Sequence, residues 1–373
     1  MPRRRKSSDV RKIDAVPAPP VLVPSGAPIL GHTRVLERLR VYHDTQWRGG
    51  VMLWAGPEGV GKRTIALRFA QGRLCTHHTF LGCGTCAPCR MVERGQHPDL
   101  VVYMLNGQST HRVETVWRYR EQIALRSWSG GVKIFIWDDV DRMRQEAANA
   151  MLKTLEEPPP DAITILITAQ LYRILPTIRS RSQILRFGPV PEEDLLRYLL
   201  RQPEWSESEA RWACRFSQGR PGWIMQPRAF WDFHRQLRRI VLEWLQKWLA
   251  DPHEEWWRYM EVDVRPLETL ARDVFSVQGP LFTGDGWVWH RWWVEQILTH
   301  ALILVRDLWY VQQRLHALII SIDLQGTLER MADWVSSDRL LTYIERWTQF
   351  LYDMRIYHFS GAWQFPGHVL RPP

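Results

Sequence analysis

The nine residues GPEGVGKRT at 56–64 constrain this chain more than any other feature. They follow VMLWA at 51–55, a short apolar run of the buried-strand type. Gly56, Gly59 and Gly61 let the backbone bend around an anion, and Lys62 brings a cation to it, as in the P-loop pattern G-x-x-x-x-G-K-[ST]. Such a loop joins a strand to a helix, so an α/β fold is expected around it. The last position of the pattern differs. Where a Ser or Thr hydroxyl holds Mg²⁺ in a working loop, this chain has Arg63. A guanidinium has no lone pair for a metal and carries positive charge to the metal's place. Thr64 can serve only if the loop shifts by one residue. The expectation is an ATPase scaffold that lacks part of its chemistry, with ATP binding weak or absent.

A second acidic cluster supports the same scaffold. VKIFIW at 132–137 reads as a buried strand and runs into Asp138, Asp139, Val140 and Asp141. A carboxylate at such a strand end normally holds the Mg²⁺ water shell, and the next acidic residue polarises the attacking water. Asp139 is one methylene shorter than the Glu usual at that second position. The alternative is that acidic residues simply end a strand.

Between these motifs lie four of the five cysteines, Cys75, Cys83, Cys86 and Cys89. Two Cys-x2-Cys steps sharing a central cysteine let thiolates converge from one tight turn, and Cys75 closes the site from a helix end. A closed structural Zn²⁺ site is expected, with a redox pair as its rival. His77 and His78 can substitute for a cysteine but read better as surface residues. Cys214 stands alone on an expected helix and reads as packing.

Further strands are expected near Asp99–Met104 and at 163–168 and 182–187, with helices from about Lys62, around 112–125 and near 144–156. Pro158, Pro159 and Pro160 stop the last of these. Alternating strands and helices with buried-type strands imply a parallel sheet covered on both faces. After Phe187 the pattern becomes helical: two or three short helices over 191–228, then 229–250, 253–274, 288–311, about 314–332 and 337–357, with a loop at 275–286. At 373 residues, two or three domains are expected.

Composition excludes several classes. Of the net charge of +9, the first twelve residues supply +5, and a Pro-rich stretch follows at 13–28. That leader lacks the apolar core of a signal peptide. The most apolar long segment, 288–311, contains Arg291, Glu295, Arg306 and Asp307, so no membrane span is expected. A cytoplasmic protein is the reading. Of the 21 tryptophans, thirteen follow residue 228 and read as aromatic packing between helices.

IWDDVDRMRQEAANAMLKTLEEPPP at 136–160, LPTIRSRS at 175–182, QHPDL at 96–100 and the four-cysteine insert together resemble bacterial DNA polymerase III clamp-loader subunits of the AAA+ class. The weakened P-loop is similar to the delta-prime, non-hydrolysing type rather than to the gamma/tau motor. The resemblance covers about 29–228 with specific motifs, and 229–373 by helical character alone. It implies an AAA+ P-loop core at 29–188 with a zinc module at 75–89, a small helical lid at 189–228 and an all-α collar at 229–373, after a disordered leader at 1–28. It further implies that Ser180, Arg181 and Ser182 match a Ser-Arg-Cys motif, with Arg181 an arginine finger acting on a neighbour's ATP. Thr168 or Ala169 falls at the sensor 1 position. The sensor 2 arginine position, in GRPGWIM at 219–225, is held by Gly222, with Arg220 out of register. The implied partners are gamma/tau and delta subunits, and through the complex a sliding clamp and primer-template DNA, as part of the polymerase III holoenzyme. The chain is then not catalytic by itself. A gamma/tau-type motor using Lys62, Thr64, Asp138 and Asp139 is the alternative, and a stand-alone zinc-containing nucleic-acid-binding protein a third.

Overall fold

The computed structural model describes residues 28–105, 109–250, 267, 271 and 286–356. The leader through residue 27, the helix expected at 253–274 apart from Leu267 and Ala271, and the loop expected at 275–286 up to residue 285 lie outside them. The chain divides into two compact units, Met1–Gly188 and Pro189–Pro373.

The first unit is a five-stranded parallel sheet. In chain order its elements are α1 (Thr33–Asp44), β1 (Gly50–Ala55), α2 (Lys62–Leu74), α3 (Ala87–Glu93), β2 (Leu100–Tyr103), α4 (Val113–Ile123), β3 (Lys133–Trp137), α5 (Gln145–Glu156), β4 (Ala162–Thr168), α6 (Pro176–Ser180) and β5 (Gln183–Arg186). The strands lie side by side as β2-β3-β4-β1-β5. β4 therefore separates β1 from β3, pairing Ala55 with Thr168 on one side and Trp137 with Leu166 on the other.

Period-two alternation sends each strand's side chains to two apolar layers. Met52, Trp54, Ile134, Ile136, Ile163, Ile165 and Ile167 pack with Leu39 of α1 and Ile65 and Phe69 of α2. Val51, Leu53, Phe135, Trp137 and Leu166 pack with Val116 and Tyr119 of α4 and Met151 and Leu155 of α5. Both faces are thus covered, which is what lets β1, β3 and β4 be almost wholly apolar. Each strand and helix expected from the sequence in this unit is present within two residues at each end. The helices α1, α3 and α6 were not read from it.

Asp99, from the QHPDL segment, is fully buried. It accepts from the Ser127 hydroxyl at 3.0 Å and from the backbone N–H groups of Trp128 at 2.7 Å and Ser129 at 2.9 Å. Burial pushes its carboxyl up, but these donors outweigh burial and hold it below the usual range. Its role is to fix the turn that enters β3.

The second unit contains α7 (Glu192–Leu199), α8 (Glu207–Ser217), α9 (Pro221–Ile224), α10 (Arg228–Ala250), α11 (Gly286–Gln312), α12 (Gln325–Ala332) and α13 (Ser337–Ile356). Several of its described tryptophans pack against one another, as the sequence suggested. Trp212 and Trp231 meet edge to face at 5.7 Å, and Trp244 stacks on Trp248 at 5.6 Å. Arg238 lies 4.1 Å above the Trp212 ring while bonding Asp323 through both terminal nitrogens, at 2.8 and 2.5 Å. Cys214 is buried on α8, and burial pushes its thiol up to about 12.

One expectation fails here. The single helix read over 314–332 is two 3₁₀ turns, His316–Leu318 and Ile322–Leu324, followed by α12. The cause is Asp307. Its fully buried carboxylate accepts from the N–H groups of Ile320 at 3.0 Å and Ser321 at 2.7 Å. Those donors are no longer available to a helix, and the buried acceptor holds the chain in a loop.

His234 of α10 and His300 of α11 are both buried and share a hydrogen bond of 3.0 Å, Nδ1 to Nε2. Phe216 stacks on His300 at 5.1 Å and Phe230 meets His234 at 4.4 Å. Burial holds the His234 imidazole down at about 3. Burial, then its neighbours His234 and Arg238, hold His300 well below its ordinary value. Below about pH 6.5 the unfolded chain takes up protons that the folded pair excludes, so stability is full above that pH and falls as pH drops. Urea unfolding is expected to show a loss of up to about 1.4 kcal/mol per pH unit for each histidine between roughly pH 6 and pH 4. The double substitution His234→Phe, His300→Leu should flatten that slope without abolishing it, because burial also holds His32, His97 and His111 down.

Candidate functional site

The strand order brings two loops to one edge of the sheet. The loop 56–61 leaves the end of β1, and the acidic turn 138–141 leaves the end of β3. The end of β4 lies between them.

The glycine loop has the geometry its residues permit. Gly59 and Gly61 have φ of 76° and 100°, values that favour glycine. Gly56 has no room for a side chain, since a Cβ there would come within 2.2 Å of the Phe187 carbonyl oxygen. Lys62 opens α2 and is buried, and its Nζ donates to the carbonyls of Gly56 at 2.6 Å and Pro57 at 2.7 Å. These two bonds close the loop on itself. Burial holds the Lys62 ammonium below its usual value, with Asp138, Glu58, Asp139 and Asp141 opposing that shift.

Arg63 points across the site. Its Nη1 lies 3.3 Å from Asp138 Oδ2, with Arg63 more than half exposed and Asp138 only 15% exposed. Met104 Sδ lies 3.8 Å from the same nitrogen. Burial, then the neighbouring Asp139, push the Asp138 carboxyl up, and Arg63 pulls it back down. The guanidinium thus stands beside the Asp138 carboxylate. Asp139 has φ of 53°, and its N–H donates to Asp138 Oδ1 at 3.2 Å. Left-handed backbone is tolerated by Asp better than by most residues. Asp141 turns away and accepts from Thr168 Oγ1 at 2.6 Å and from the Ala169 N–H at 3.1 Å. Both residues weighed for the sensor 1 position therefore bind the same carboxylate.

Two histidines that the sequence did not single out brace the site. His32 Nε2 donates to the Val60 carbonyl at 2.7 Å, tying the glycine loop to the start of α1. His111 Nε2 donates to the Asp138 carbonyl at 2.6 Å. Nothing in their local sequence signals either contact, because both partners are distant backbone atoms.

The four cysteines converge. Cys75 caps the end of α2, Cys86 precedes α3, and Cys89 lies within it. Their Sγ atoms all lie within 4.8 Å of one another, with Cys83–Cys89 at 3.8 Å and Cys75–Cys86 at 3.9 Å. Those two separations match the roughly 3.8 Å edge of a tetrahedron built on metal–sulfur bonds of about 2.3 Å. The Thr85 hydroxyl, with the Cys86 and Thr85 backbone, pulls the Cys83 thiol down to about 5, while burial pushes Cys89 up. Four cysteines this close can hold a metal ion. His77 and His78 are exposed and lie outside the cluster, and the His78 carbonyl instead accepts from His43 Nε2 at 2.9 Å.

Arg181 follows α6 and is 37% exposed. It does not project freely. Its Nη2 pairs with Glu156 Oε1 at 2.8 Å, and its Nη1 donates to the Thr177 carbonyl at 3.1 Å. Ser182 Oγ donates to the Ile178 carbonyl at 2.7 Å. Gly222 lies in α9 of the second unit, where Arg220 sits 5.7 Å over the Trp223 ring.

A sequence model of the family described as "DNA polymerase III, delta subunit" matches residues 31–191. The delta' subunit of DNA polymerase III from Bacillus subtilis is 34% identical over 150 residues, 40% of this chain and 45% of that one. The Escherichia coli delta' subunit is 33% identical over 168 residues, 44% of this chain and 50% of that one. Over part of its length the chain is thus similar to DNA polymerase III delta' subunits. The tau/gamma subunit of Haemophilus influenzae is also similar, 32% identical over 148 residues, 39% of this chain and 21% of that one. The chain spans about half the length of the delta-prime relatives named here. Among the described residues no helix is long and apolar enough to cross a membrane.

The Arg63–Asp138 pair can be weighed directly. Arg63→Ala removes the cation paired with Asp138 and should cost about 0.5–1.5 kcal/mol at pH 7. Asp138 then rises further, so the deficit relative to wild type should shrink as pH falls towards 4. Urea unfolding at several pH values measures both effects, and a deficit that grows on acidification contradicts the pairing.

Proposed function

We propose that the chain is a non-hydrolysing, delta-prime-type subunit of a bacterial replicative clamp loader. The observation that carries this reading is the Arg63–Asp138 pair, in which the protein supplies its own cation beside the metal-binding carboxylate. A fixed guanidinium neutralises Asp138 but cannot bridge phosphate oxygens or carry water as Mg²⁺ does. With Asp139 short by a methylene and Gly222 in place of a sensor arginine, three departures act in one direction. Lys62 and the glycines Gly56, Gly59 and Gly61 retain the fold of the loop while its chemistry is muted. Thr64 is left as the sole hydroxyl in the motif.

On this reading the subunit works with gamma/tau and delta partners to open a sliding clamp and set it on primed DNA. The core at 29–188, the segment 189–228 and the helices of 229–373 would be its AAA+ module, lid and collar. Arg181 would serve a neighbour's active site, where a guanidinium stabilises charge developing on a transferred phosphoryl group.

The cysteine cluster fits Zn²⁺ best. Four thiolates so close repel one another unless a cation balances them, and a site with four protein ligands is closed to substrate. Its role is to pin the turn 75–89 between α2 and α3. Metal analysis of the reduced, native protein should find about one Zn²⁺ per chain, and Cys86→Ser should lower the thermal midpoint by several degrees through lost folding energy. A native protein free of zinc would refute this.

The function is tested by reconstitution. The isolated chain should show no ATPase above background, and Arg63→Thr alone should not create one. In a ring assembled with gamma/tau and delta, Arg181→Ala should leave assembly intact and lower clamp- and DNA-stimulated turnover. Fingers elsewhere are worth about 10³–10⁵ at their own site, and the whole ring should lose less because its other sites keep theirs. Robust turnover by the isolated chain would favour a gamma-type motor instead.

A further inference from the structure

Both terminal nitrogens of Arg181 are engaged within its own chain. Nη2 meets Glu156 Oε1 at 2.8 Å, and Nη1 meets the Thr177 carbonyl at 3.1 Å and Ser180 Oγ at 3.4 Å. Glu156 is the last residue of α5, Glu157 follows it, and Lys153 is the basic residue in that last turn. Carboxylates at a helix C-terminus face the negative end of the helix dipole. The Arg181 guanidinium relieves that repulsion. Pro158, Pro159 and Pro160 prevent the helix from running on, so Glu156 is fixed in place opposite α6.

We propose that Glu156 is a restraining partner for Arg181, holding the guanidinium against its own subunit until the terminal phosphate of a neighbour's nucleotide displaces the carboxylate. This rests on the trans-acting role of Arg181 proposed above. A phosphate carries more charge than a carboxylate and offers more acceptors, so it wins the exchange when it is in reach. The pair is suited to exchange because Arg181 and Glu156 are 37% and 43% exposed. An ion pair this exposed is weak and breaks readily, whereas a buried one would lock the arginine. Glu156 therefore sets the resting state without preventing the active one. It ties the availability of the finger to the C-terminal end of α5, the helix that follows the acidic turn 138–141.

Rings are assembled with wild-type chain, Arg181→Ala, Glu156→Gln, Glu156→Asp and the Glu156→Gln/Arg181→Ala double variant. Gel filtration reports assembly, and ATP turnover is measured with and without clamp and primed DNA. Glu156→Gln should raise the unstimulated rate about two- to fivefold, the range set by an exposed ion pair, and leave the stimulated rate within about twofold. Glu156→Asp keeps the charge and should bring the unstimulated rate back towards wild type. The double variant should behave as Arg181→Ala, because the gain needs the guanidinium. A lowered stimulated rate in Arg181→Ala with no rise, or a fall, in Glu156→Gln overturns the restraint and leaves the trans role standing. No effect of Arg181→Ala on either rate overturns both.

Discussion

The placing of β4 between β1 and β3 is the constraint on which the candidate site depends. It fixes the distance between the glycine loop and the acidic turn, and it does so through backbone ladders rather than through the site residues themselves. Each ladder in turn needs both faces of the sheet covered, because strands this apolar cannot face water. The two apolar layers therefore do more than stabilise the unit. They hold Gly56, Asp138 and Thr168 at neighbouring strand ends, where the Gly56 N–H donates to the Thr168 carbonyl at 3.2 Å. The geometry of a nucleotide site can persist on such a frame after its chemistry has changed.

The elements of the first unit were legible because their signals are local. Apolar runs of five or six residues, a glycine loop before a helix and three consecutive prolines each act within a few residues. The cysteine cluster was legible for a related reason, since its spacing alone brings four sulfurs to one turn. What the sequence hid were contacts made over long separations to backbone atoms. His32 to Val60, His111 to Asp138 and Asp307 to Ile320 and Ser321 leave no periodic trace. The last of these broke an expected helix, because one buried carboxylate outweighed the propensity of a whole segment. The partner of Arg181 was hidden in the same way, because nothing local joins Glu156 to a residue 25 positions on.

Arg63 was legible as a departure but not as a solution. The sequence shows Arg63 where the P-loop pattern has Ser or Thr. The structure adds that the replacement cation finds Asp138, a carboxylate that burial would otherwise drive towards protonation. A single unpaired carboxylate in such a place is costly, and leaving it beside Asp139 is costlier still. Arg63 thus balances the charge of a half-hidden carboxylate. An apolar residue at this position would leave Asp138 without that cation.

The exposure of the partner carboxylate then separates the two arginines of interest, since Arg63 is itself the more exposed, 56% against 37%. Arg63 faces Asp138, which is only 15% exposed, and so sits against a partner that has little water to turn to. Arg181 faces Glu156, which is 43% exposed and can be resolvated at little cost. The Asp138 carboxylate therefore depends on its cation more than the Glu156 carboxylate does. The difference comes from the elements that carry the carboxylates. Asp138 ends a central strand roofed by His111 and Trp137, while Glu156 ends an amphipathic helix at the protein surface. Burial of the acid, more than the identity of the base, decides how much each carboxylate needs its arginine.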